Sequence, residues 1–153
     1  MRRVSEEEIV RELREKFGDL LLEAEVRRKR RVFVTVRREH YREVLGALRN
    51  MGFDFLEALT GIDAGDHFEV IAHVGRSSSV SVKAIIPKED PRLPSIVDSF
   101  KGAELYEREV YEMLGIVFEG NPRLRRLLLP EDWPRGVYPL RKDYKPEHPK
   151  PLR

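Results

Sequence analysis

The stretch FLEALTGIDAGDHFEVIAHV, residues 55–74, decides the fold, because within it the spacing of apolar residues switches to a period of two. Phe53 to Ile62, Phe68 to Val74 and Val80 to Ile86 predict three consecutive strands. The polar turns Ala64-Gly65-Asp66 and Gly75-Arg76-Ser77-Ser78 join them, and turns this short give antiparallel neighbours.

Upstream, Ser5 and Glu8 form a capping box, and Ile9, Val10, Leu13 and Phe17 follow on one helical face up to Gly18. Leu20 to Val26 and Val32 to Val36 predict two more strands, with RRKRR (Arg27 to Arg31) as the turn or strand ends between them. Tyr41, Val44, Leu45, Leu48 and Met51 predict a second amphipathic helix, stopped by Gly52. Downstream, Pro87, Pro91 and Pro94 break the chain; Ser95 to Phe100 predicts a short helix and Gly102 to Leu114 a longer one. The expected fold is α+β: a mainly antiparallel or mixed sheet with helices packed on it over residues 1–119, then an extended proline-rich arm over residues 120–153.

The chain has 153 residues, enough for one domain with a real core. Hydrophobic residues make up 41%, with no apolar run long enough to span a membrane. MRRVSEEEIV lacks the apolar core of a secretory signal, so a cytoplasmic protein is expected. Cysteine is absent, which excludes disulfides, thiolate nucleophiles and cysteine-held zinc or iron–sulfur centres. Charged residues reach 37%, Gln is absent, and Asn occurs only at Asn50 and Asn121, a composition typical of heat-adapted proteins.

The net charge of +2 hides a split, since residues 120–153 carry nine Lys or Arg against four Asp or Glu. Seven of the ten prolines also lie there, so this segment sustains neither a helix nor a central strand. Fully extended it would reach roughly 110 Å, several times the radius of the domain before it. Leu124, Leu127, Leu128, Leu129, Trp133, Tyr138, Leu140 and Tyr144 punctuate it. An arm of this composition needs a surface to lie on, and another subunit is the natural one.

In YEREVYEMLG, residues 106–115, the helical stripe Ala103, Tyr106, Val110, Met113 and Leu114 faces inward. Arg108 has Glu104 and Glu112 one turn away on either side, and Glu109 lies on the opposite flank, as on a solvated face of ion pairs. Glu107, however, borders the apolar stripe and needs a cationic or hydrogen-bonding partner. Arg123, Arg125, Arg126, Arg141 and Lys142 are the cations available downstream.

The stretch GAELYEREVYEMLGIVFEGNPRLRRLLLPEDWPRGVYPLRKDY, Gly102 to Tyr144, resembles the C-subunit family of NADH:quinone oxidoreductase, respiratory complex I. Three blocks carry the likeness in the same order: ERE with the following Tyr and Met, the Asn-Pro-x-Leu-Arg-Arg segment, and Pro-Leu-Arg-Lys-Asp-Tyr. FLEALTGIDAGDHFEVIAHV is similar to the family's sheet region. The resemblance implies a subunit without cofactors or metal, on the cytoplasmic side of the membrane, clasping the large subunit that holds the quinone or nickel–iron site. It implies docking through Glu107, Arg108, Glu109, Tyr111, Gly115, Arg123, Arg125, Arg126, Trp133, Leu140, Arg141, Lys142, Asp143 and Tyr144. Leu105, Glu112, Leu114 and Asn121 depart from the family's usual Trp, Asp, Phe and His. Those departures point toward the related membrane-bound hydrogenases and sulfur reductases.

Other signals are weaker. RRKRR with Arg37 and Arg38 offers an alternative, a stand-alone basic nucleic-acid-binding module, but no aromatic platform lies beside it and the chain is nearly neutral. His67 and His73 share strand parity yet lie about 19 Å apart along an extended strand, too few and too distant for a metal. His40 and His148 show no triad pattern. No GxGxxG, Walker or G-x-S-x-G motif occurs, so independent catalysis is not expected.

Overall fold

A computed structural model of the chain describes residues 4–146. His148, Pro149 and Pro151 lie outside them. The chain runs α1 (Glu6–Phe17), a short 3₁₀ turn (Gly18–Leu20), β1 (Leu21–Arg28), β2 (Arg31–Arg37), α2 (Arg38–Asn50), β3 (Phe55–Asp63), β4 (His67–Gly75) and β5 (Ser79–Pro87). Then follow β6 (Arg92–Pro94), α3 (Ala103–Leu114) and β7 (Val117–Glu119).

Five strands form one sheet in the order β1-β2-β5-β4-β3. Neighbours pair antiparallel except β2 and β5, which are parallel because the chain crosses over through α2 and the β3–β4 hairpin before β5 returns beside β2. Val32, Val34 and Val36 of β2 align with Val80, Val82 and Ala84 of β5, and these with Val74, Ala72 and Val70 of β4. All nine are buried, as period-two patterning requires of a covered face. Ile9, Leu13 and Phe17 of α1 and Tyr41, Val44, Leu45 and Leu48 of α2 join them in one core.

The capping box is present: Glu8 N donates to Ser5 Oγ at 3.2 Å, and Ser5 N to the Glu8 carboxylate at 3.0 Å. RRKRR forms the end of the β1–β2 hairpin, with Arg30 at φ 65°. Arg30 N donates to Glu6 Oε1, and the Arg27 guanidinium stacks 4.2 Å from the Phe33 ring.

One local expectation is corrected. Ser95 to Phe100 forms a turn rather than a helix, closed by Phe100 N to Ile96 O at 2.8 Å. Here Ser95 Oγ and Ile96 N both donate to a glutamate of α3, and Ser95 Oγ accepts from Val97 N at 3.2 Å, which holds the segment as a turn. Beyond what the sequence predicted, β6 and β7, which precede and follow α3 in the chain, form a parallel two-stranded sheet. At three residues each, they are too short to show a period, and Pro94 closes β6 where its missing N–H costs nothing.

The joint between α3 and the sheet is Gly61 in β3. A Cβ there would lie 2.6 Å from Val110 Cγ1 and 2.7 Å from Leu114 Cδ1. Gly46, within α2, has no heavy atom near its absent Cβ. Gly61→Ala is therefore expected to destabilise by about 1–3 kcal/mol through overpacking. Gly46→Ala should stabilise by roughly 0.5–1 kcal/mol through helix propensity. Denaturant titration of the two variants checks the contrast; equal effects would mean α3 is not seated on β3 this closely.

Candidate functional site

The residues singled out from the sequence converge around α3 and the segment that follows it, residues 120–146. Among these described residues the segment has no helix or strand of its own. The surface it lies on is, to a large extent, its own domain.

Glu107 is fully buried. Its partners are hydrogen-bonding rather than cationic: Glu107 accepts from Ser95 Oγ at 2.5 Å, Ile96 N at 3.1 Å and Asn121 Nδ2 at 3.2 Å. The donors are neutral and come from the turn after β6 and the loop after β7, the two segments flanking α3. Of the cations downstream, Arg126 and Arg141 are drawn instead to backbone carbonyls. Burial pushes the Glu107 carboxyl above its ordinary value, opposed by these three hydrogen bonds. Tyr41, buried in the same core, is pushed well up by burial and by the charge of Glu107, and its hydroxyl has no hydrogen-bond partner among the described residues.

Glu112 sits about 180° round the helix from Ala103, on the side away from the sheet. It too is buried, by the returning chain. Its carboxylate accepts three consecutive backbone N–H groups: Leu127 at 3.2 Å, Leu128 at 2.8 Å and Leu129 at 2.8 Å. One turn earlier, Arg108 donates to the carbonyls of Arg125 and Arg126, at 3.2 and 2.7 Å. The ion pairing expected of Arg108 with Glu104 and Glu112 gives way to backbone capture, because a looping segment without regular structure leaves its own polar groups unpaired.

Further along, Arg126 donates to the carbonyls of Pro130, Glu131 and Trp133 and holds that loop closed. Trp133 Nε1 donates to Val137 O at 2.8 Å, and its ring lies 6.3 Å from that of Tyr144. Arg141 Nε donates to Leu114 O at 2.7 Å, with its guanidinium over the rings of Phe68 and Tyr138. Gly115 caps α3 at φ 80°, and a Cβ there would meet Tyr138 Cζ at 2.6 Å and Arg141 Nη2 at 2.7 Å. Both its conformation and the close return of the chain require glycine.

A second carboxylate, missed in the sequence, anchors the end of this path. Asp63 of β3 accepts from Lys142 N and Gly65 N, both at 2.9 Å, and pairs with Lys88 Nζ at 2.8 Å. Burial would raise its carboxyl, but the Lys88 bond and the two N–H groups outweigh that and hold it well below the usual range. Asp63 carried a signal, in that it ends a strand beside a glycine turn, but nothing local names a partner 79 residues away.

Of the other expected docking residues, Glu109, Arg125, Lys142 and Asp143 are exposed, and Tyr111 is half-buried. Arg123 is exposed and lies 3.8 Å from Glu104. Leu128 and Leu140 are 61% and 59% exposed, and Leu105, at the departure from the family pattern, is 55% exposed. Between α3 and the loop 124–138 lies a cleft of about 440 Å³, lined among others by Tyr111, Trp133 and Tyr138. Among the described residues no cluster of three or more His, Asp or Glu could hold a metal, and no helix is long and apolar enough to cross a membrane.

These features define an α+β module whose C-terminal segment is tied back by side chain to backbone bonds. Residues 34–150 match the family described as respiratory-chain NADH dehydrogenase, 30 Kd subunit, and the chain belongs to that family. It is 37% identical over 145 residues to the C-subunit of the NADH-quinone oxidoreductase of Chloroherpeton thalassium, spanning 88% of this chain and 59% of that one. It is 38% identical over 128 residues to the NADH-quinone oxidoreductase subunit 5 of Thermus thermophilus, over 74% of this chain and 61% of that one. The chain thus spans about three-fifths of the length of these relatives.

Two solved structures share the fold. A trypsin-resistant fragment of Nqo5 superposes with a TM-score of 0.65 at 32% identity, over 77% of this chain and 98% of the fragment. A chain of the membrane-bound sulfane sulfur reductase, an archaeal respiratory membrane complex, superposes at 0.77 with 30% identity, over 96% of this chain and 92% of that one.

The anchors give two expectations. Replacing Glu112 by Gln puts an amide NH₂ where N–H groups converge, which should cost about 1–3 kcal/mol and expose residues 124–130 to protease and to amide exchange. Unchanged protection of the Leu127–Leu129 amides would count against the anchor. Asp63 has a depressed folded-state value, so its contribution to stability is complete above about pH 4, the unfolded carboxyl's range, and is lost as pH falls through the folded value. Asp63→Asn should lower the melting temperature at pH 7 and flatten its fall between about pH 4 and 2. An acid limb as steep as the parent's would show that Asp63 does not titrate this way.

Proposed function

We propose that the chain is a cofactor-free, non-catalytic subunit of a complex-I-related membrane oxidoreductase, peripheral on the cytoplasmic side, that docks onto the large catalytic subunit. Residues 1–119 form its α+β body and residues 120–153 its docking arm. The observation that carries this reading is the division of labour in the arm. Its backbone is pinned inward by Glu112, Arg108, Arg141 and Asp63, while Leu128 and Leu140 stand exposed. Isolated exposed leucines are ordinary, but several on one tethered, cationic segment make a contact surface.

In this reading Arg123, Arg125, Leu140, Lys142 and Asp143 meet the partner, Trp133 and Tyr144 stiffen the arm, and Glu107 with Gly115 serves its folding. The likeness to subunits of NADH-quinone oxidoreductases and to a chain of the sulfur reductase supports the class of complex. The test is co-purification of the large subunit with the full chain and with a chain ending at residue 120, each also melted in isolation. The truncated chain should melt cooperatively and lose its partner. Equal recovery of the two forms would overturn the docking role.

A further inference from the structure

The cleft between α3 and the loop 124–138 has a floor of Leu129, Trp133, Val137 and Tyr138. Three arginines line it, but Arg126 spends its guanidinium on the carbonyls of Pro130, Glu131 and Trp133. The charge left for a partner is that of Arg125 and Arg135, both exposed and neither in an ion pair among the described residues. Glu112 is the one carboxylate in the lining, and three backbone N–H groups already occupy it. The cleft is therefore apolar and aromatic within, and cationic at its rim.

We propose that this cleft receives an acidic segment of the partner subunit, one large apolar side chain flanked by Asp or Glu. The inference rests on the docking role argued above and names its chemistry. A free anion would find only two solvent-screened arginines over a floor it cannot use. A peptide segment uses both: the apolar anchor desolvates the aromatic floor, and its flanking carboxylates meet Arg125 and Arg135 and set the register. A basic or neutral segment would leave the rim charges unmatched.

Trp133 is the only tryptophan of the chain, so its fluorescence reports occupancy of the cleft directly. The full chain is titrated with a synthetic Glu-Asp-Phe-Asp-Glu peptide and with the matching peptide carrying Lys at every acidic position. The acidic peptide should shift Trp133 emission, with affinity falling as salt rises. Arg125→Glu combined with Arg135→Glu should weaken it about tenfold or more, and the milder Arg125→Gln with Arg135→Gln by less. Lys29→Glu, at the distant hairpin end, should leave it unchanged. Equal binding of the lysine peptide, wild-type binding by the double reversal, or the same shift from inorganic phosphate alone would each overturn the proposal.

The same full-length variants in the co-purification assay separate the two claims. Loss of the large subunit with the double reversal, but not with Lys29→Glu, supports the cleft. Full recovery with the double reversal, while the shortened chain still fails, removes the cleft and leaves the docking role standing. Recovery of the shortened chain removes the docking role itself.

Discussion

The path of the last described residues depends on one carboxylate. Glu112 accepts the N–H groups of Leu127, Leu128 and Leu129 together, on the side of α3 that the sheet does not cover. A segment broken by Pro122, Pro130, Pro134 and Pro139 cannot satisfy its backbone by regular structure, so its donors need acceptors from elsewhere. A carboxylate supplies up to four lone-pair sites and makes stronger bonds to N–H than a carbonyl does. Arg108 completes the exchange by binding the carbonyls of the two preceding residues. In effect, the exposed side of a helix does for this segment what a neighbouring strand does in a sheet.

The opposite side of the same helix carries a second buried carboxylate. Glu107 has only neutral donors, so its charge is poorly compensated and its carboxyl titrates high. Asp63, with Lys88 beside it, titrates low. The difference follows from what each one ties together. Glu107 links the turn after β6 to Asn121 after β7, and Ser95 N donates to Glu119 O across the same seam. It is a staple between two segments, which offer a hydroxyl, a backbone N–H and a side-chain amide, and no cation. Asp63, itself buried, closes a path near the surface, where Lys88 reaches it while about a third exposed.

The sheet was legible because Phe55–Asp63, His67–Gly75 and Ser79–Pro87 each show a full period-two run between polar turns. The parallel pairing of β2 with β5 was not, since strand neighbours far apart in sequence leave no local mark. β6 and β7 fell below the length at which periodicity exists. Glu107 stood out because it lay against the apolar stripe, but the nature of its partners did not, because Ser95, the Ile96 backbone and Asn121 arrive through the tertiary fold. Glu112 was hidden for a plainer reason. Helix geometry gave it the solvent side of α3, and only the return of the chain, through backbone groups that carry no side-chain signature, makes that side an interior.

Tethering the segment to its own domain also bears on how it can act. Ordering a free chain costs about 1–2 kcal/mol of backbone entropy per residue, so an arm that ordered only on contact would spend much of its binding energy on itself. Here the anchors at Glu112, Arg108, Arg141 and Asp63 fix the backbone within the chain itself, as the proposed docking role would require. Glu112, Arg108 and Asp63 take backbone N–H or C=O groups of the segment, so its exposed side chains, Arg125, Leu128 and Leu140 among them, are not spent on these anchors. Such an arrangement makes the contact surface separable from the scaffold. Substitutions at exposed positions such as Leu128 or Arg125 alter what is presented, whereas changes at Glu112 or Gly115 alter whether anything is presented at all.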